Sequence, residues 1–180
     1  MLARSLLSPV CLLAALGLLA GCATDAPDVT AYYDPITGTR TDLMENELPS
    51  PARPRELIWL NASRVPKGYN EWRFYLEVRY MATEDVGWLD IPPGETLTLT
   101  LDGKPVRFGG SGSLNMRKEA KKGIVRESAI YEVTEAQLRQ IAAAKSVVVQ
   151  IRGKAGLIER SFAAANFERL QRFLASAKGS

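Results

Sequence analysis

The sequence contains no histidine and only two cysteines, Cys11 and Cys22, in 180 residues. The first absence removes the side chain that titrates near neutrality. With it go Ser-His-Asp and Cys-His nucleophile systems and nearly every zinc, copper or haem ligand set. The shortage of cysteine leaves no internal disulfide once an N-terminal leader carrying Cys11 is removed and Cys22 is blocked. Charge of one sign is also lacking: 23 basic residues face 20 acidic ones, a balance that does not point to nucleic acid. The N-terminal apolar stretch is well short of the roughly 20 residues a bilayer-spanning helix needs, and no second stretch of that length follows. Gly109-Gly110-Ser111-Gly112-Ser113 lacks both the phosphate-loop spacing and the dinucleotide fingerprint, with Lys118 too far away to serve either. No cofactor, no metal and no nucleophile-base enzyme is expected.

What is present begins with an address. Met1 to Gly21 carries one positive charge at Arg4, no acidic residue, an apolar run ending at Leu19 and then small residues, the arrangement of a removable export leader. It closes on Leu19-Ala20-Gly21-Cys22. Small Ala20 and Gly21 let a protease close around the backbone, while Leu19 fills an apolar pocket. These residues resemble the lipobox of bacterial lipoproteins, in which the cysteine thiol is diacylated and the leader is cut before it. The resemblance covers only Met1 to about Cys22. It implies that Cys22 is the first mature residue and the site of lipid attachment, so that the membrane is a partner through that lipid. Cys11, preceded by Ser8-Pro9-Val10, lacks the pattern. One acyl chain binds reversibly and two or more hold firmly, because each buried methylene contributes about 0.8 kcal/mol. Ala23 stands where Asp is the usual inner-membrane retention signal of Gram-negative lipoproteins. The resemblance therefore implies the periplasmic face of the outer membrane.

Three regions follow: a leader over 1–21, a tether over 22–55 that is poor in periodic apolar residues and ends in Pro49, Pro51 and Pro54, and one globular domain over 56–180. Within the tether, Tyr32-Tyr33-Asp34-Pro35-Ile36-Thr37-Gly38 reads as a local turn. The chain is expected to be a spacer to about Thr30 and then to dock partly, through Tyr32, Tyr33 and Ile36.

In the domain, Trp72, Phe74, Leu76, Val78 and Tyr80 alternate with polar neighbours, a strand with one core face and one wet face. Leu97 to Leu101 and Val106 to Phe108 flank Asp102-Gly103, a two-residue hairpin signal. Thr134 and Gln137 have capping-box spacing, and the helix they open carries Leu138, Ile141 and Ala142 on one stripe. Strands at Val147 to Ile151 and Leu157 to Phe162 lead to a last helix from about Ala164 to Ala177. This order predicts an α+β domain, a mostly antiparallel sheet with two helices on one face, with a β-sandwich bearing peripheral helices as the alternative.

Candidate sites are few. Arg73, Tyr75 and Arg79 on the wet side of the long strand form a possible ligand-facing surface, although cross-strand ion pairs on a solvated face explain them more simply. Arg117, Lys118, Lys121 and Lys122, in a stretch expected to be a flexible loop, could contact an anionic surface, or merely be solvated. Glu84, Asp85 and Asp90 lie near Trp88, which could stack on sugar, and paired carboxylates can hydrolyse glycosides without histidine. The expected function is a membrane-anchored envelope lipoprotein with a non-catalytic binding or assembly domain and an envelope-protein or cell-wall partner. The alternative is a carboxylate-dependent cell-wall glycan hydrolase.

Overall fold

Apolar residues at every second position make long strands the organising elements of this chain. The computed structural model describes residues 29–68 and 71–176. The leader, Cys22 and the first part of the tether lie outside the described residues. Ten strands and two helices run in the order β1 (Thr30–Tyr33), β2 (Arg40–Met44), β3 (Glu56–Gly68), β4 (Glu71–Thr83), β5 (Gly94–Leu101), β6 (Lys104–Gly110), β7 (Arg117–Lys121), β8 (Ile124–Val133), α1 (Glu135–Ala143), β9 (Val147–Arg152), β10 (Leu157–Ser161) and α2 (Ala164–Ser176).

The domain is α+β, with antiparallel strands and two helices, as the element order predicts. The strands divide into two sheets, one of order β1-β2-β3-β4-β8-β7 and one of order β10-β9-β5-β6. Strand β4 shows why the larger sheet has two distinct sides. Phe74, Leu76, Val78, Tyr80 and Ala82 are buried, whereas Arg73, Tyr75, Glu77, Arg79 and Met81 project from the opposite, outer face. Register carries the buried phase across the sheet: Leu60 pairs with Val78, and Val78 pairs with Ala129. A one-residue slip would turn every one of these side chains into water.

The inner face is covered by the smaller sheet and by α2. Tyr131 on β8 and Thr96 on β5 share a hydrogen bond of 2.9 Å between their hydroxyls, and Arg160 on β10 meets Glu56 on β3 at 2.8 Å. Leu138 and Ile141 of α1 and Leu170, Phe173 and Leu174 of α2 join the same buried core as Leu97, Leu99, Val149 and Ile151 of the smaller sheet. The β5–β6 hairpin turns on Asp102 and Gly103, both with positive φ (49° and 83°), as a two-residue turn matched to strand twist requires. Both halves of the capping box at α1 are made, Gln137 N–H donating to Thr134 Oγ1 and Thr134 N–H to Gln137 Oε1. No helix among the described residues is long and apolar enough to cross a membrane.

Two sequence expectations change. The sequence predicts a tether over 22–55, but the folded domain includes β1 and β2: Met44 and Leu48 are buried, and β2 pairs with β3. Asn46 is also held, its side-chain oxygen accepting a 2.7 Å hydrogen bond from Asn166 of α2. Docking was expected through Tyr32, Tyr33 and Ile36, yet these are 52%, 66% and 93% exposed. The segment is tied down by strand pairing and by the spaced apolar pair Met44 and Leu48, which show no local periodicity.

The glycine-rich and basic stretch after Gly109 is likewise not a flexible loop. Strand β6 runs to Gly110, a short 3-10 turn spans Leu114–Met116, and β7 pairs with β8. Gly112, at φ +77°, lies so close to Pro93 that an added Cβ would sit 2.7 Å from its backbone nitrogen. Only glycine combines that backbone with that proximity.

Candidate functional site

The outer face of the six-stranded sheet carries a mainly apolar concavity beside Tyr75, a residue singled out by the sequence. Tyr75 lines an open groove of about 490 Å³ with Leu43, Ser63, Val65, Ile130 and the edge residue Tyr32; Thr41 and Glu77 complete it. Register explains the hollow. Ser63 stands opposite Leu43 on one side and Tyr75 on the other, so a small side chain separates two large ones. Directly opposite side chains in adjacent strands lie about 5 Å apart, and a serine between them leaves a trough instead of a filled row. The lining is mainly apolar, with hydroxyls from Tyr32, Tyr75, Thr41 and Ser63 and one carboxylate.

That carboxylate is committed elsewhere. Glu77 Oε2 accepts a hydrogen bond of 2.8 Å from the buried Asn61 side chain and one of 3.3 Å from Arg79, whose other terminal nitrogen donates to Glu45 at 2.5 Å. Burial opposes the charge on Arg79, but its bonds to Glu45 and Glu77 outweigh that and raise its pKa. Arg79 is therefore held in a three-residue ion-pair network.

The expected trio of Arg73, Tyr75 and Arg79 is not brought together as one surface. Arg73 lines a separate polar depression of about 660 Å³ with Lys67, Glu71, Glu132 and Glu135. Of the three, only Tyr75 faces the groove.

The basic group also divides. Arg117 turns inward: it pairs with Asp90, lies 3.3 Å from Glu127 and places its guanidinium 5.8 Å from the centre of the Trp88 ring. Lys118, Lys121 and Lys122 remain exposed on β7 and the turn after it. The candidate acids diverge as well. Asp85 pairs with Arg55; Asp90 pairs with Arg117 and with Lys154 at 3.2 Å; Glu84 faces a small depression of about 190 Å³ beside Trp88 and Glu119. Among the described residues, no group of three or more metal-binding side chains is placed to hold an ion.

Three buried charges among the described residues, Glu127, Arg64 and Asp42, are not singled out by the sequence analysis. Glu127 has no exposed surface. It accepts hydrogen bonds from the Asp90 amide at 2.9 Å and from the Ser113 hydroxyl at 2.7 Å. Arg64, 2% exposed, is held by the fully buried Asp42. Glu127 and Arg64 each carried a signal that could have found them. Glu127 falls in phase with Val125, Ala129 and Tyr131, and Arg64 in phase with Leu60 and Ala62. A charge on the apolar beat of a strand needs a buried partner.

Comparison with known proteins found no matching family, no matching curated protein and no matching solved structure.

Proposed function

We propose that this chain is an envelope lipoprotein, held at the membrane through lipid on Cys22, whose folded part is a non-catalytic binding or assembly module. The lipobox-like Leu19-Ala20-Gly21-Cys22 supports the anchor, and Ala23 after it favours the periplasmic face of the outer membrane. The observation that carries the binding role is the trough at Ser63, flanked by Leu43 and Tyr75 and bounded by Tyr32. An apolar, hydroxyl-fringed groove without a free charge suits an extended apolar segment of another envelope protein. Tyrosines supply large contact area at small conformational cost.

The glycan-hydrolase alternative has less support. Asp85 and Asp90 are each paired with cations, and the Trp88 ring that would receive a sugar already faces Arg117.

Two measurements test the proposal. Metabolic labelling with a fatty-acid analogue should mark the parent chain and not Cys22→Ser. A photo-crosslinking residue at position 75 in intact cells should give one discrete adduct, lost when Ser63→Phe fills the trough while the fold is retained. An unlabelled parent chain would remove the anchor. Adducts indistinguishable from those of a crosslinker at the exposed position 159 would remove the groove.

A further inference from the structure

The β1–β2 hairpin presents apolar surface that the fold does not use. Tyr32, Tyr33 and Ile36 stand within five residues of one another, and all three are exposed, Ile36 at 93%. This is a built conformation and not a frayed end. The Asp34 carboxylate accepts hydrogen bonds from the amides of Ile36 at 2.8 Å and Thr37 at 3.3 Å, the Gly38 amide donates to the Asp34 carbonyl at 2.8 Å, and the Asp34 amide donates to Thr39 at 2.9 Å. Four bonds close the turn and leave the Ile36 side chain pointing away from the domain.

Chain length says what lies nearby. Cys22 and Val29 are seven residues apart. A fully extended chain of that length reaches about 25 Å at most. Strand β1 itself advances only about 10 Å from Thr30 to Tyr33. A lipid on Cys22 thus holds Val29 within about 25 Å of the bilayer and the tip of the hairpin within about 35 Å. In contrast, the basic strand β7 is the opposite edge of the same sheet, separated from β1 by β2, β3, β4 and β8. Five strand spacings of about 4.8 Å put it up to roughly 24 Å farther from the anchor than β1 is.

We propose that the tip of the β1–β2 hairpin, with Tyr33 and Ile36 at its head, is a second contact with the lipid surface, seated at headgroup level beside the anchored Cys22. Tyrosines place an apolar ring in the boundary and a hydroxyl in water, and isoleucine adds apolar surface below them. Lys118, Lys121 and Lys122, exposed at the opposite edge of the sheet, then lie on the side remote from the anchor. The proposal rests on the lipoprotein reading of Cys22.

The test uses the mature lipidated chain in vesicles of phosphatidylethanolamine and phosphatidylglycerol. With Cys22 acylated, Ile36→Cys and Lys122→Cys each introduce a single free thiol for a nitroxide. The label at position 36 is expected to lose accessibility to a water-soluble nickel complex and gain collisions with oxygen on vesicle binding, while the label at 122 stays aqueous. Vesicle-bound protein with an aqueous label at 36, or with the pattern reversed, overturns the proposal and leaves the anchor standing. A parent chain that takes the label at Cys22 and fails to sediment with vesicles overturns both.

Discussion

Arg64 and Asp42 stand directly opposite each other on β3 and β2, both buried, with Arg64 Nε donating to Asp42 Oδ2 at 2.8 Å. The same guanidinium reaches the carbonyls of Phe173 and Ser176 in the last turn of α2, at 3.5 and 3.4 Å, and lies over the rings of Trp72 and Phe173. A helix C-terminus leaves carbonyls unpaired and partially negative, so one cation satisfies the helix end and the strand carboxylate together. This joins strand β2, through Asp42, to the C-terminal helix.

Removing that cation strands a buried carboxylate. Arg64→Met is expected to lose about 3 kcal/mol in urea unfolding, the low end of the range for breaking a buried pair, because Arg40 also contacts Asp42. Replacing both partners, Arg64→Met with Asp42→Leu, should recover most of the loss. A single-variant loss below about 1 kcal/mol would show that the pair does not hold the helix.

Glu127 accepts hydrogen bonds from an amide and a hydroxyl and forms an ion pair with the Arg117 guanidinium, so its charge matters beyond its shape. Glu127→Gln is nearly isosteric and should cost about 2 kcal/mol, in the range for hydrogen bonds to a charged group. Lys118→Ala on the neighbouring edge strand should stay within about 0.5 kcal/mol of the parent. Equal midpoints for the two variants in thermal unfolding would contradict this.

Gly112 and Gly123 share φ +77° but differ in surroundings, since a Cβ at 112 would strike Pro92 and Pro93 whereas at 123 nothing lies within 4 Å. Gly123→Ala should therefore cost about 1 kcal/mol, the backbone penalty alone. Gly112→Ala adds a clash with backbone and should cost at least about 3 kcal/mol. Chemical denaturation of the pair separates the two contributions.

Tyr80 donates its hydroxyl hydrogen to the Gly87 carbonyl at 3.0 Å, and burial, reinforced by the carboxylates of Glu56 and Glu127, pushes its pKa from 10.0 up to about 12. A raised pKa means the folded state holds the proton more tightly than the unfolded chain. The corresponding stability is fully present below pH 10, falls as pH rises towards 12 and is lost above it. Burial also raises the pKa of Tyr131, so an absorbance titration should show a late tyrosinate phase from both residues that Tyr80→Phe reduces by one tyrosinate. A parent titration complete by pH 11 would refute the assignment.

Local features of the fold are legible in the sequence. The β4 alternation, the Asp102-Gly103 turn and the capping box at Thr134 each depend on neighbours close in sequence, and each is present in the structure. Strands β1 and β7 could not be read that way. Every residue of β1 is exposed, and β7 is Arg-Lys-Glu-Ala-Lys. Neither has an apolar phase, and both exist because a distant strand offers hydrogen bonds at its edge. The groove was half legible: Tyr75 was recognisable on the wet face, but Leu43, Ser63 and Ile130 come from strands whose neighbours in space are set by sheet order.

The sequence by itself determined the absence of histidine and cysteine chemistry, the lipobox-like ending at Cys22, and the faces of the long strands, since a two-residue period obeys the chain alone. Only the tertiary structure decided which charges on those faces meet. Arg64 finds Asp42 across 22 positions, and Glu127 finds Ser113 across 14, because register brings them into a space that excludes water. There an unpaired charge costs too much to persist, so the partner is chosen by the fold and not by proximity in the chain.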